Sequence, residues 1–228
     1  MRRSRYKYFP NVEYAKQLLD GNVYCQTAAY FRDYEDRAAQ QIIGDEYEGA
    51  RLYRPLSGLK IKNLTRGIQG NLQWGMECLI KADEIFIFCA SFSFDDLLKK
   101  EFGAVACVEI FNPREFIARW LKALPEEAQK GGKHVARKVD YYRPEDVPGN
   151  VSALPHLIVT SKLKRFLYQE EYRFAYTLTD AFVFQNCTYS LVNRRSRPAA
   201  KPDEHHHQTL HLGDLRDICK LQEFSPNL

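Results

Sequence analysis

The densest group of side chains able to do chemistry is Gln169-Glu170-Glu171-Tyr172-Arg173. It falls where a predicted helix ends and a strand begins, a position at which a rigid scaffold commonly holds site residues. Gln169 and Glu171 are two apart, and in an extended strand entry that spacing points both side chains to one side. Glu170, offset by one residue, should face away. A carboxylate beside an amide in a cleft can hold a ribose hydroxyl while the amide orients an acceptor. The same stretch also reads as a solvated charge cluster, with Glu170, Glu171, Arg165 and Arg173 joined by surface ion pairs.

Three further constellations carry polar chemistry. The run Ile85-Phe86-Ile87-Phe88-Cys89-Ala90-Ser91-Phe92-Ser93 is a buried strand ending in two hydroxyls, Ser91 and Ser93, although Ser93 also suits the cap of the next helix. Tyr6-Lys7-Tyr8, with Tyr24, Tyr30 and Arg32, combines rings able to sandwich a flat nicotinamide or a base with cations able to neutralise a pyrophosphate. Tyr30 and Tyr34 at helical spacing are more often core than cofactor contacts. His205-His206-His207 with His211 lacks an acidic or Cys partner at ligand spacing and is expected to be exposed loop, so no metal site is assigned. Acidic clusters at Asp33, Glu35, Asp36 and at Asp45, Glu46, Glu48 are the remaining candidates for a divalent cation. No G-x-S-x-G, P-loop or G-x-G-x-x-G is present.

The elements that must position these residues come from a chain of 228 residues, 45% hydrophobic and 27% charged, with 14 Tyr, 14 Phe and a net charge of +4. That composition excludes a disordered chain and supplies enough apolar surface for a sizeable core. The longest uncharged apolar run, 85–94, is about half of the roughly 20 residues a membrane helix needs. The basic opening Met1-Arg2-Arg3-Ser4-Arg5 is not followed by the apolar stretch of a signal peptide, so a cytoplasmic protein is expected. The six cysteines form no C-x-x-C pair and read as reduced structural thiols.

Residues 5–9 read as a strand closed by Pro10, and Asn11 caps a helix burying Val12, Ala15, Leu18 and Leu19 before Gly21. A strand over 22–26 follows. The stripe Tyr30, Tyr34, Ala38, Ile42 predicts a helix from Ala28 to Gly44. Residues 45–69 are expected to be irregular, and Leu72, Met76, Leu79 and Ile80 suggest a helix to about Lys81. Strands are predicted over 85–91 and 104–111, with a short helix between them opened by Ser93-Phe94-Asp95-Asp96. Asn112-Pro113-Arg114-Glu115 supplies an N-cap, a first-turn proline and an acid, opening a helix that buries Phe116, Ile117, Trp120, Leu121 and Leu124. A strand over 134–142, a helix over 155–168, and two paired strands over 171–178 and 182–192 complete the pattern, with a polar loop at 194–208. The class is α+β, and residues 1–228 are read as a single domain.

In this order the elements resemble the opening of the ADP-ribosyltransferase fold: strand, helix with Leu18-Leu19-Asp20-Gly21, strand Val23-Tyr24-Cys25, and a Tyr-bearing helix. A Ser-bearing strand and a Gln/Glu-x-Glu at a strand entry follow in that fold, and Ser91 or Ser93 and Gln169-x-Glu171 are similar. Lys7-Tyr8, Asp33-Tyr34-Glu35, residues 89–93 and Gln169-x-Glu171-x-Arg173 also resemble small bacterial proteins of a family without assigned function. The likeness covers about residues 5–180. It departs in placing Arg5, Lys7 and Tyr8 where the transferases carry a first-strand Arg or His, and in lacking a Ser-Thr-Ser triplet.

The resemblance implies a split central sheet with flanking helices and an NAD-dependent transfer of ADP-ribose to a macromolecule, nucleic acid or protein, by a bacterial toxin or anti-phage defence effector. It implies Glu171 and Gln169 as catalytic residues, and Lys7, Tyr8, Tyr24, Tyr30, Arg32, Ser91 and Ser93 as NAD contacts. An antitoxin partner follows only from that likeness. Arg2-Arg3-Ser4-Arg5 and Arg194-Arg195-Ser196-Arg197 fit a nucleic-acid acceptor and fit solvated loops as well. Two other readings stand beside it: a non-catalytic nucleic-acid-binding module, and a metal-dependent nuclease built on the acidic clusters.

Overall fold

The computed structural model describes residues 3–33, 45–149, 154–192 and 206–224. The chain is α+β, and most of its strand pairs are antiparallel. Its centre is β7 (Ile85–Ser91), apolar at nearly every position because both of its faces are covered. Phe86 and Phe88 pack with Phe174, Tyr176, Phe116 and Trp120 on one face, and Ile85 and Ile87 pack with Ala28, Ala29, Ile158 and Ala175 on the other. β12 (Glu171–Thr177) runs antiparallel along the full length of β7, from Glu171↔Ser91 to Thr177↔Ile85, and β9 (His134–Lys138) flanks β12.

The opposite edge of β7 is shared by two strands. β1 (Arg5–Phe9) meets it at Tyr6↔Ser91, while β2 (Asn22–Thr27) meets it at Gln26↔Ile87 and Thr27↔Phe86. Both run antiparallel to β7 and toward each other's ground, so continued pairing would bring Tyr8 and Tyr24 to the same partner, Cys89. One edge cannot satisfy two backbones, and the sheet forks there. β1 continues into β8 (Ala106–Ile110) and β15 (Cys219–Glu223), and β2 into β14 (His207–His211).

The helices on this sheet begin as their sequences require. α1 (Val12–Leu19) is capped by Asn11, whose Oδ1 accepts from the Glu13 N–H at 2.8 Å. Gly21 then takes φ +90, and a Cβ there would lie 2.1 Å from the Gly213 carbonyl oxygen, so no other residue fits. α2 (Ala28–Asp33) begins as predicted; Tyr34, Ala38 and Ile42 of its expected stripe lie outside the described residues. α3 (Asp96–Glu101) is capped by Asp95 rather than Ser93, because Asp95 accepts from the Leu98 N–H while the Ser93 hydroxyl donates to Asp95 at 2.6 Å. α4 (Pro113–Ala123) follows Asn112 and buries Phe116 and Trp120, and the short α5 (Glu126–Gln129) follows it.

Several expectations are corrected. The helix placed over 72–81 is instead β6 (Gly75–Leu79), the middle strand of a second sheet between β3 (Ala50–Tyr53) and β13 (Thr188–Val192). Cross-strand pairing on both edges overrides the helical spacing of its apolar residues, and Gly75 weakens the helical alternative. Only 188–192 of the predicted strand over 182–192 is extended, and it pairs with β6, not with β12. The expected irregular stretch 45–69 contains β3 and β4 (Leu59–Lys62), the latter paired with β5 (Gln69–Leu72).

The helix expected over 155–168 is broken into three pieces. α6 (Pro155–Ile158) stops where Thr160 and Ser161 donate their hydroxyls to the carbonyls of His156 and Ile158, taking acceptors that a continuing helix would need. β11 (Ser161–Leu163) then pairs in parallel with β10 (Asp140–Tyr142), and a 3-10 turn spans Lys164–Gln169. The strand expected over 134–142 is divided at Val139, where the backbone leaves β12 for β11.

All six cysteines are free thiols. Among the described residues no helix is long and apolar enough to cross a membrane. Trp120 is fully buried among Phe174, Tyr176 and His134. Trp120→Ala is expected to cost about 3–5 kcal/mol through lost burial and the cavity left behind, read from the midpoint of urea unfolding.

Candidate functional site

The fork between β1 and β2 opens a cleft whose floor is the Phe88–Ala90 stretch of β7, and a set of charged side chains from neighbouring segments gathers against it. Glu171, at the first position of β12, accepts from Lys162 Nζ at Oε1 (2.6 Å) and from Arg173 Nε at Oε2 (2.9 Å). Lys162 Nζ also donates to Gln169 Oε1 at 2.7 Å. Arg173 holds Glu48 in a two-pronged grip, Nη1 to Oε1 at 2.6 Å and Nη2 to Oε2 at 2.8 Å, and Nη1 further donates to the Val159 carbonyl. The Glu171 backbone N–H is taken by the Tyr141 hydroxyl at 2.8 Å. Glu48, Lys162, Gln169, Glu171 and Arg173 are all buried.

This excludes the reading of the block as a solvated surface cluster for Glu171 and Arg173, which pair inside the protein. Arg165 and Glu170 do lie outward: Arg165 is 3.5 Å from Glu46, and Glu170 pairs with Arg3 at 2.8 Å. Gln169 and Glu171 do converge, although not through the pleat of a strand. Glu170 takes a left-handed conformation (φ 41, ψ 48) between the 3-10 turn and β12, and this corner brings its two neighbours to the same ammonium. A positive φ is costly for a residue with a Cβ and persists where the surroundings impose it. Here the Phe92 N–H donates to the Glu170 carbonyl, and the Ser91 hydroxyl donates to the Gln169 carbonyl at 2.7 Å.

Electrostatics follow from these contacts. Burial alone would raise the Glu171 pKa, but Lys162 and Arg173 more than reverse it, to about 2. The group is therefore a carboxylate at neutral pH and cannot serve as a general acid. Burial opposes charge on Arg173, and Glu48 and Glu171 outweigh it, holding the guanidinium firmly protonated. Glu48 is shifted up by burial, which Arg173 offsets in part; two short bonds from one guanidinium require the ionised form, so this shift marks desolvation cost. Cys89, at the gap in the strand edge, is pushed up to about 11 by burial and stays a thiol.

Two adjoining cavities fill the fork. The smaller, about 170 Å³, is lined by Lys7, Tyr8, Ser91, Gln169, Glu171 and Lys162 among others. The larger, about 550 Å³, is lined by Tyr14, Tyr24, Gln26, Tyr30 and Phe31 among others. Lys7, Tyr8, Pro10, Phe31, Ile87 and Cys89 border both. Seven of the nine sequence candidates thus line this one cleft, and two do not. Arg32 borders neither cavity. Ser93 points away because its hydroxyl serves Asp95 and its carbonyl accepts from the Tyr8 hydroxyl. The Tyr8 hydroxyl is further occupied by the Asp95 N–H, leaving its ring face as the part it offers. Tyr24 leans on His207 at 4.9 Å between ring centres.

The other constellations disperse. His207 and His211 lie on β14, His211 bonded to Asn22, while His205 lies outside the described residues. Asp45 caps the Tyr47 N–H, Glu46 is exposed and Glu48 is held by Arg173, so this acidic cluster does not converge; Glu35 and Asp36 lie outside the described residues. Among the described residues no three His, Cys, Asp or Glu side chains are placed to hold a metal ion.

Glu48, Lys162 and Tyr141 were not singled out for this site from sequence. Lys162 carried the one available signal, since helical spacing puts it on the same face as the apolar Ile158 and Phe166.

Glu171 also predicts an acid response. Its pKa is lower folded than the ordinary 4.5, so its stabilising share is complete above that value and is lost as pH falls from about 4.5 toward about 2. Urea unfolding of Glu171→Gln is expected to show less loss of stability across that window than the unsubstituted protein. Glu48→Ala, which leaves Arg173 short of a buried partner, is expected to cost about 3–5 kcal/mol at neutral pH.

No protein-family model, curated protein or solved structure matches the chain.

Proposed function

We propose that the chain is an NAD-dependent ADP-ribosyltransferase with an ADP-ribosyltransferase-like split sheet, acting on a macromolecular acceptor as a toxin or defence effector. The observation that carries this reading is the convergence of Glu171, Gln169, Ser91, Lys7 and Tyr8 on the cleft of a forked sheet. The cleft suits an elongated ligand with flat ends and an anionic middle. Tyr8, Tyr24, Tyr30 and Phe31 supply ring surfaces, and Lys7 stands between the two cavities with its Nζ 5.0 Å from the Phe88 ring centre.

The chemistry assigned to each residue follows from its state. Cleavage of the nicotinamide–ribose bond develops positive charge on the ribose, as in glycoside hydrolysis. Glu171, permanently ionised, stabilises that cation more than the ground state. At about 4 Å and an effective dielectric near 20 the attraction is on the order of 4 kcal/mol, roughly a thousandfold in rate. Lys162 and Arg173 fix the carboxylate's orientation, and each of its oxygens retains a lone pair for a ribose hydroxyl. Gln169, anchored through Oε1 to Lys162, presents its amide as the group that orients the acceptor.

One observation favours a reading without chemistry at Glu171: both of its oxygens already have protein donors, as in an internal clasp, and the non-catalytic alternative is the nucleic-acid-binding module.

The two readings separate in one assay, incubation of the protein with labelled NAD⁺ and a cell lysate. Transfer of label that falls on the order of a thousandfold in Glu171→Gln, with the fold retained by circular dichroism, is the expected result. Lys7→Ala is expected to weaken NAD⁺ binding with a smaller effect at saturation. Label transfer undiminished in Glu171→Gln removes that residue from the chemistry, and the absence of any NAD⁺ consumption alongside salt-sensitive nucleic-acid binding favours the binding module.

A further inference from the structure

The β4–β5 hairpin joins no other sheet among the described residues and, unlike the largely buried β10–β11 pair, it lies on the surface. Every residue from 60 to 71 is exposed, including Leu64 at 87% and Ile68 at 62%. A two-stranded ribbon bare on both faces gains little from burial and is marginal by itself. Its geometry is nonetheless braced. Asn63 Oδ1 accepts from the Thr65 and Arg66 N–H groups, Gly67 supplies a positive φ at the tip, and Asn71 Nδ2 ties the base to the Ser57 carbonyl at 2.9 Å. A shaped arm held away from the core is built to meet something.

Its charge says what. No Asp or Glu occurs over residues 54–76, whereas Arg54, Lys60, Lys62 and Arg66 do, in a chain whose total is only +4. Registered pairs sort the ribbon into two faces. Lys60↔Asn71 and Lys62↔Gln69 form one, cationic and carboxamide-bearing; Leu59↔Leu72 and Ile61↔Gly70 form the other. Lys60 and Lys62 therefore point the same way, with Arg66 at the tip, and none of the three has an ion-pair partner among the described residues.

We propose that this arm binds duplex nucleic acid, with Lys60, Lys62 and Arg66 on the phosphates and Gln69 facing the groove. A two-stranded ribbon has the dimensions to enter a major groove about 12 Å wide. An anionic membrane would also attract these cations. Leu64 and Ile68 at the tip would suit a membrane, but Gln69 opposite Lys62 on the cationic face, able to hydrogen-bond base edges, favours nucleic acid. The inference is independent of the chemistry in the cleft.

The test is fluorescence anisotropy of a labelled DNA duplex, with the unsubstituted protein and the triple variant Lys60→Gln, Lys62→Gln, Arg66→Gln. Each phosphate contact contributes about −0.9 to the slope of log affinity against log salt, so three contribute about −2.7. Those contacts alone weaken binding about 40-fold between about 50 and 200 mM salt. The variant is expected to bind more weakly and to flatten the slope by about three. An unchanged affinity and slope, or no duplex binding by the unsubstituted protein at about 50 mM salt, overturns the proposal. So does a variant that loses binding to phosphatidylserine vesicles while its duplex binding is intact, which would assign the arm to a membrane. If the variant fails to fold, hydrogen exchange on the unsubstituted protein decides: residues 59–72 must gain protection on adding duplex, and absence of protection overturns the assignment.

Discussion

The structure is organised around a buried set of charges that closes on itself: Lys162 and Arg173 against Glu48 and Glu171, with Gln169 completing the ammonium's contacts. Each ion taken from water costs several kcal/mol even after relaxation, and only multiple short contacts offset that. The set draws on the segment before β3, on β11, on the 3-10 turn and on β12, while α6 joins through the Val159 carbonyl. Segments distant in the chain are therefore held in one relative arrangement, because a displacement of any of them leaves a charge unpaired in a low-dielectric interior.

That arrangement also determines what the cleft can do. Two cations on one carboxylate keep Glu171 ionised far below neutrality, which removes proton donation from its repertoire and leaves electrostatic stabilisation. The same contacts fix its rotamer and that of Gln169, so the pair is preorganised before a ligand arrives. The cleft above them comes from a separate constraint, the competition of β1 and β2 for one edge of β7. Neither strand can extend its pairing without displacing the other, so space opens between Lys7–Tyr8 and Tyr24 beside Cys89. The cleft, whose buried charges are paired with one another and which adds only Lys7 to them, contrasts with the bare cationic arm of β4 and β5, and the proposed small-molecule and nucleic-acid contacts divide between them on that basis.

Much of the local structure was legible in the residues. Asn11 and Asn112 cap their helices, with Pro113 and Glu115 in the first turn of α4, and Phe116 and Trp120 form its buried stripe. β1, β2, β7, β8 and β12 appear where apolar character or alternation places them. Gln169, Glu171 and Ser91 were recognisable as polar groups near strand ends, and Lys7 and Tyr8 as part of an aromatic and basic opening strand, and they share a cleft. By contrast, β6 carries helical spacing and becomes a central strand, because its neighbours β3 and β13 come from distant parts of the chain. Residues 155–168 carry helical spacing and break at Thr160-Ser161, where side-chain hydroxyls capture the last turn's carbonyls.

The sequence by itself determined the α+β class, the helix starts and the strands whose apolar pattern spans both faces, since these depend on neighbours within a few residues. Only the tertiary structure decided which charges meet. Lys162 turns inward because β11 pairs with β10, and Glu48 lies 125 positions from the guanidinium it holds. Spacing along a chain reports which face a residue shares with its near neighbours. Whether a buried charge has a partner depends on segments brought together from elsewhere, and that requirement, with its several-kcal/mol consequence for failure, is met only in the assembled fold.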